Sequence, residues 1–131
     1  MKTNLPPYAI LVVEKRGGIH MAIYQNSKIA GNKTLYISGQ TPSKDNSTPD
    51  TIAEQMDVVI EKIAATLEEY DLTADDLVKI NIYITDTAYL PTVREKLADF
   101  VGDSKPTATL VVVAGLIDPA FKIEIDGIAT F

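Results

Sequence analysis

Glu124 is the residue whose type and position most clearly suggest chemistry. It lies in the segment FKIEIDG, where it alternates with Ile123 and Ile125. Because side chains along a strand point alternately to its two faces, Glu124 is expected opposite the packed isoleucines, together with Lys122 and Asp126. Two interpretations fit this pattern. The face is either solvated, or it meets a neighbouring subunit. In the second case Glu124 lies at the edge of an interface cleft, where burial would raise its pKa.

The sequence lacks the residues that several other kinds of catalytic centre need. The chain has no cysteine, which excludes a thiol nucleophile, a disulfide framework and a cysteine-ligated metal. It contains no glycine-rich phosphate loop, no metal-ligand spacing and no serine–histidine–aspartate set in a recognisable context. The single histidine, His20, follows a predicted hairpin turn and is interpreted as a bystander rather than a general base. The sequence therefore predicts no metal and no cofactor.

Length and charge are those of an ordinary globular protein. The 131 residues predict one domain, 1–131, and 46% hydrophobic with 23% charged residues is typical. A formal net charge of −6 argues against binding nucleic acid, which needs clustered lysine and arginine. No apolar run is long enough to span a bilayer, and the start MKTNLPPYAI lacks the apolar core of a signal peptide. We therefore expect no membrane association and a cytoplasmic location.

The elements that must position Glu124 begin with three predicted strands. Two β-rich runs, 8–14 and 19–25, flank the turn KRGG as a hairpin, and a third run covers 34–39. The intervening segment NSKIAGNK is polar and is interpreted as a turn. Three further strands are predicted at 78–85, 105–113 and 121–129.

Two helices are predicted between these strands. The first begins near residue 50, where Thr51 and Glu54 have the spacing of a capping box, and its apolar residues recur every three or four positions. The second fits 88–101. Between them, Thr73 and Asp76 repeat the capping pattern for a single turn. In the strand that follows, the predicted inward row is Val78, Ile80, Ile82 and Ile84.

The apolar content of the strands exceeds what two helices can bury. Two helices cover one face of such a sheet, yet the run ATLVVV within 105–113 is apolar on both faces. Tyr83 and Ile128 add bulk on the sides away from the main apolar rows of their strands. The uncovered face therefore needs a partner, and a second copy of the chain supplies one. This pattern predicts an oligomer.

Several segments together resemble the RidA/YjgF family of enamine/imine deaminases, formerly called endoribonuclease L-PSP. They are TLYISGQTP, the long run IAEQMDVVIEKIAATLEEYDLTADDLVKINIYITD, and KIEIDGIA. The resemblance covers 24–131, whereas 1–23 is predicted to be a divergent N-terminal hairpin. It implies an α+β, chorismate-mutase-like fold, with a mixed six-stranded sheet and two helices on one face. It also implies a homotrimer in which the sheets form a central barrel and small metabolites bind in the clefts between subunits.

The same resemblance implies roles for individual residues. Glu124 corresponds to a catalytic glutamate that positions water, and Gly39 to a glycine that lines the pocket. Tyr24 is the nearest match to a tyrosine near the family's N-terminus. Family members carry a substrate-binding arginine in the pattern proline–any–arginine–serine, but this chain has Ala108 followed by Thr109 at the last two positions. Both residues are ligand-binding candidates, although Ala108 cannot pair with a carboxylate as a guanidinium does.

Another cation could replace the missing arginine. Arg94, on the second predicted helix, corresponds to a family position that borders the cleft, although a solvated arginine is the simpler interpretation. Lys105 lies at the entrance of its strand and is expected to be exposed.

Three functions stay open. The chain is a divergent enamine or imine deaminase that uses Glu124, or a trimer that binds a metabolite without catalysis. The third, an endoribonuclease, is the least favoured because the chain is acidic. Ala108 argues against conventional deamination of 2-iminobutanoate and 2-iminopropanoate.

Overall fold

The structure, a computed structural model, describes residues 24–31 and 33–131. The predicted strand 8–14, most of the predicted strand 19–25 and His20 lie outside these residues. Within them the fold is α+β, with one mixed sheet and two helices. The sheet described has five strands in the order β1-β2-β5-β3-β4; four of them correspond to predicted strands, and β1 was not predicted. The strands are Ser27–Ala30 (β1), Thr34–Gln40 (β2), Leu77–Ile84 (β3), Thr107–Val112 (β4) and Ile123–Thr130 (β5).

Strand β1 corrects the prediction of a turn at this position. Its residues Ser27–Ala30 pair antiparallel with β2, from Ser27 opposite Ile37 to Ala30 opposite Thr34. Gly31 has φ 62°, a backbone conformation that glycine adopts without strain, and it lets the chain turn between the strands. The local composition is polar, but the backbone groups of β2 provide a ladder that makes the segment extended. Pairing with the next strand has overridden the composition of the segment here.

Helix α1 spans Ile52–Glu68 and begins where the capping pattern predicts. The Thr51 hydroxyl accepts a hydrogen bond from the Glu54 backbone N–H at 3.2 Å and donates one to its carboxylate at 2.9 Å. Four residues of the apolar stripe are almost completely buried, namely Met56, Val59, Ile63 and Leu67. This stripe packs against β2 and β5, and β5 is the strand that carries Glu124.

Helix α2 spans Leu90–Val101, and the chain enters it through a 3₁₀ turn at Thr87–Tyr89. The helix therefore begins two residues later than predicted, because the Asp86 carboxylate accepts the Ala88 N–H at 2.8 Å and caps the tighter turn first. Val93 is fully buried, whereas Leu97 and Phe100 pack at the margin of the same core. α2 packs beside α1, so both helices cover one face of the sheet.

Strand β3 departs from the predicted alternation at its first residues. The Thr73 capping box is present and closes a 3₁₀ turn at Ala74–Asp76. Beyond it, the pairing of β3 with β5 shifts register between Leu77 and Lys79, so Leu77 is buried and Val78 is 45% exposed. The prediction that Val78 joins the inward row is therefore wrong, because a bulge turns its side chain away from the core. The other three members, Ile80, Ile82 and Ile84, are buried as predicted.

Among the residues described, strand β4 lies at the edge of the sheet and pairs only with β3, in parallel. Val111 and Val112 are 40% and 50% exposed. The run that is apolar on both faces is therefore only partly covered by the rest of the described chain, since Leu110 packs at the margin of the core and the two valines remain exposed. No helix in the described ranges combines the length and apolar character that crossing a membrane requires.

Candidate functional site

Gly39 and Glu124 meet where β2 and β5 change register. The pairing of these two strands shifts between Ile37 and Gln40, which brings the backbone of Gly39 against the carboxylate of Glu124. A Cβ atom placed on Gly39 would overlap this carboxylate. Glycine is required here by the close approach of a functional group, since its φ is not in the left-handed region.

An open groove of about 470 Å³ surrounds this contact. Both carboxylates of β5, Glu124 and Asp126, line it, which agrees with the predicted orientation of these two residues. Lys122 does not line the groove, because its ammonium donates to the Asp50 carbonyl at 2.6 Å near the start of α1. The remaining lining residues come from the segment before β1, from β2 and the residue after it, and from the loop before β5: Tyr24, Ile37, Ser38, Gly39, Thr41 and Ile117. Ile117 is 86% exposed at the rim.

The Glu124 carboxyl is partly buried, and its pKa is raised. Desolvation is the main cause, and the nearby charge of Asp126 acts in the same direction. The ammonium of Lys62, on α1, partly opposes both effects. That ammonium is fixed by hydrogen bonds to the carbonyls of Thr41, at 2.8 Å, and Ser43, at 2.9 Å. The site therefore holds a carboxyl that keeps its proton at higher pH than an exposed glutamate.

Two side chains of β3 hold Asp126 in place. Asn81 Nδ2 donates to Asp126 Oδ1 at 2.8 Å, and the Tyr83 hydroxyl donates to Asp126 Oδ2 at 2.9 Å. The hydrogen bond to Asp126 is the main reason that the pKa of Tyr83 is raised, so the phenol keeps its proton and remains a donor. Sequence analysis did not identify Asn81 as part of a site. The available signal was the alternation of β3, which places Asn81 and Tyr83 on the same face.

The structure brings together three of the predicted site residues and separates the other three. Gly39, Tyr24 and Glu124 line one groove. Ala108 pairs with Ile80, and Glu124 pairs with Tyr83. Within one chain, Ala108 and Glu124 are therefore two strands apart across the sheet and three residues apart along it. That is about 10 Å in each direction.

The other candidates also lie outside the groove lining. Thr109 is exposed on β4, and Arg94 is exposed on α2. The exposed position of Lys105, just before β4, agrees with its prediction. In the part of the chain described here, no three histidine, cysteine or acidic side chains cluster in a way that could hold a metal ion.

The sequence of this chain matches a known protein family and its members. The family model described as Endoribonuclease L-PSP matches residues 20–131. The chain is 34% identical over 108 residues to the mitochondrial protein mmf2 of Schizosaccharomyces pombe, which covers 79% of this chain and 85% of mmf2.

Solved structures agree with this match. The crystal structure of the Escherichia coli YjgF gene product has a TM-score of 0.76 at 28% identity, over 83% of this chain and 90% of that one. The structure of E. coli TdcF with bound serine has a TM-score of 0.78 at 26% identity, over 86% and 91% of the two chains.

Proposed function

Because this chain belongs to the endoribonuclease L-PSP family, the RidA/YjgF family that its motifs resemble, we propose that it binds a small metabolite around Gly39 and Glu124. The observation that carries the proposal is the close approach of the Gly39 backbone to the Glu124 carboxylate inside an open groove. A glycine at this position leaves the carboxyl accessible, whereas any side chain would cover it. The bound serine of the related TdcF structure supports a ligand of this size.

The proposal includes a homotrimer in which a neighbouring copy completes each groove. In the single chain the groove is open, and Ala108 and Thr109 lie on an exposed edge strand, away from the Glu124 of the same chain. The exposed valines of β4 need cover that the described chain does not provide. Packing β4 of one protomer beside the groove of the next would bury these valines and bring Ala108 to the cleft.

We propose that Glu124 positions and activates water for hydrolysis of an enamine or imine. The Glu124 carboxyl gives a proton to the imine nitrogen, or to the β-carbon of an enamine, and the carboxylate then takes a proton from the water that adds to the C=N carbon. In the resulting carbinolamine, Glu124 moves the hydroxyl proton to the nitrogen, so the carbon–nitrogen bond breaks, ammonia leaves and a carbonyl remains. A carboxyl with a raised pKa suits both proton transfers, since general acid–base catalysis is most efficient near the working pH.

Ala108 limits the substrates of this reaction. A carboxylate-bearing substrate would lack a guanidinium partner there, and hydrogen bonds to charged groups each contribute about 1.5–3 kcal/mol. We therefore expect weak deamination of 2-iminopropanoate and 2-iminobutanoate. The missing guanidinium also favours the second candidate, a trimer that binds its ligand without catalysis. RNA cleavage is disfavoured, because two carboxylates line the groove and the net charge is −6.

The decisive experiment follows backbone amide signals by NMR while serine is added to the ¹⁵N-labelled protein. Shifts centred on Ser38 and Gly39 would support the proposed site. The Glu124→Gln variant should weaken them, and Glu68→Gln, which removes an exposed carboxylate on α1, should not. Parallel assays with enzymatically generated 2-iminopropanoate and 2-iminobutanoate separate catalysis from binding. If all three compounds leave the groove signals unmoved and neither imine is turned over, the proposed function is wrong.

The cytoplasmic location remains a prediction from the sequence. The S. pombe relative mmf2 is named as mitochondrial. Fractionation of cells that express the tagged chain would locate it.

A further inference from the structure

We propose that Asp126, fixed by Asn81 and Tyr83, is a positioning residue that keeps the neighbouring Glu124 in its protonated form over a wider pH range. The inference rests on the proposed function in treating Glu124 as the reacting carboxyl. It goes beyond that function because it assigns a role to three residues of β3 and β5 that do not carry out the reaction themselves.

The hydrogen bonds from Asn81 and Tyr83 form a clamp that leaves Asp126 little freedom. Asn81 lies opposite Asp126 in the β3–β5 ladder and donates to one oxygen, and Tyr83 lies opposite Glu124 and donates to the other. Both carboxylate oxygens therefore accept a hydrogen bond from a different side chain, which suits the ionised, acceptor-only form. The two donors are two residues apart on one strand. They project from one face, and each holds one of the two Asp126 oxygens. Losing either donor therefore releases one side of the clamp.

A charge held in this position acts directly on Glu124. Glu124 and Asp126 are two residues apart on β5 and line the same groove, so their carboxyl groups share a partly desolvated space. Like charges disfavour each other's ionised form, and partial burial strengthens the effect. Among the described residues, the other groups near Glu124 are the ammonium of Lys62 on α1, which opposes this effect, and the phenols of Tyr83 and Tyr24. The clamp keeps the charge of Asp126 in place against the influence of Lys62.

The functional consequence is a carboxyl that can donate a proton. A protonated Glu124 can protonate the nitrogen of a C=N ligand or donate a hydrogen bond to a bound oxygen, and an ionised one can only accept. Asp126 would thus set the pH range in which the groove acts as an acid.

The test measures the titration of Glu124 itself and needs no ligand. Carboxyl ¹³C signals of labelled protein are followed from acidic to alkaline pH in the wild type, Asp126→Asn and Tyr83→Phe. We expect the Glu124 midpoint to move to lower pH in Asp126→Asn, which removes the charge but keeps the size. In Tyr83→Phe we expect a smaller move in the same direction, because one side of the clamp is released. Asp75→Asn, on the exposed 3₁₀ turn, is the matched control and should leave the midpoint unchanged.

Each outcome decides the proposal. An unchanged or higher Glu124 midpoint in folded Asp126→Asn would overturn it. If that variant does not fold, Tyr83→Phe and Asn81→Ala carry the same test, and unmoved midpoints in both would be equally decisive. The result is separate from the proposed function: a lowered midpoint without ligand binding would sustain the role of Asp126 while the proposed function fails. Ligand binding at Gly39 with an unmoved midpoint would give the reverse result.

Discussion

The groove at β2 and β5 and the edge at β4 differ in how far one chain completes them. In the groove, Asp126 has a hydrogen-bond donor on each oxygen, and Gly39 is fitted against Glu124. At the edge, Val111 and Val112 are 40% and 50% exposed, although their sequence is as apolar as that of a buried strand. The described chain therefore assembles the polar half of the site by itself, whereas the other half would be completed only in the proposed trimer.

The largest expected effect is on assembly at β4. In Val112→Asp, a charge would be buried without a partner in the proposed trimer, and removing such a charge from water costs about 3–5 kcal/mol. We expect loss of the trimer at micromolar concentration, measured by analytical ultracentrifugation. The matched control is Ile29→Asp on β1, the opposite edge of the sheet, where the isoleucine is 41% exposed. A wild type that sediments as a monomer, or equal effects at the two edges, would contradict the proposed role of β4.

The next effect concerns the fit at Gly39. In Gly39→Ala, the added methyl overlaps the Glu124 carboxylate, so the side chain must leave the groove or the strands must separate. Overpacking of this kind costs about 1–3 kcal/mol. Chemical denaturation should show the loss, and serine should no longer shift the groove signals. The control is Gly115→Ala, where a Cβ would meet nothing within 4 Å. Equal stability of the two variants would show that the close approach is not a constraint.

A smaller effect is expected from restoring the missing cation. Ala108→Arg places a guanidinium at the β4 edge and should strengthen binding of carboxylate ligands about tenfold, or about 1.4 kcal/mol. Isothermal titration calorimetry with serine would measure the change. Arg94→Ala should leave the wild-type affinity unchanged, because Arg94 lies outside the groove lining of the described chain. If Arg94→Ala abolishes binding instead, that arginine already performs the task.

The smallest effect is on the pH dependence of stability. The pKa of Glu124 is raised in the folded chain, so the folded state binds this proton more tightly than the unfolded state does. The resulting stabilisation is present below about pH 4, the ordinary range of glutamate, and is lost as the pH rises through the folded value. Glu124→Gln should therefore gain stability relative to wild type towards neutral pH; because solvent screens a carboxyl that is only partly buried, the gain should be less than about 1 kcal/mol. Urea denaturation across this range would show it, and a difference independent of pH would count against it.

Much of the architecture follows from local patterns in the sequence. The apolar stripe of α1 and its Thr51 cap act within a few residues, so the helix begins where they indicate. The alternation along 121–129 also placed Glu124 and Asp126 on the correct face, because the period of a strand is a property of the backbone itself. The family resemblance rests on motifs of this kind and is confirmed by the match over residues 20–131.

Only the tertiary structure decided the rest, because those features depend on which strands pair and in which register. β1 is extended because β2 pairs with it, and Val78 turns outward because the β3–β5 ladder shifts beside it. The contact of Gly39 with Glu124 joins residues far apart in the chain, and so do the hydrogen bonds from Asn81 and Tyr83 to Asp126. A sequence pattern indicates which face a side chain occupies, but the pairing of strands determines which neighbour it meets there.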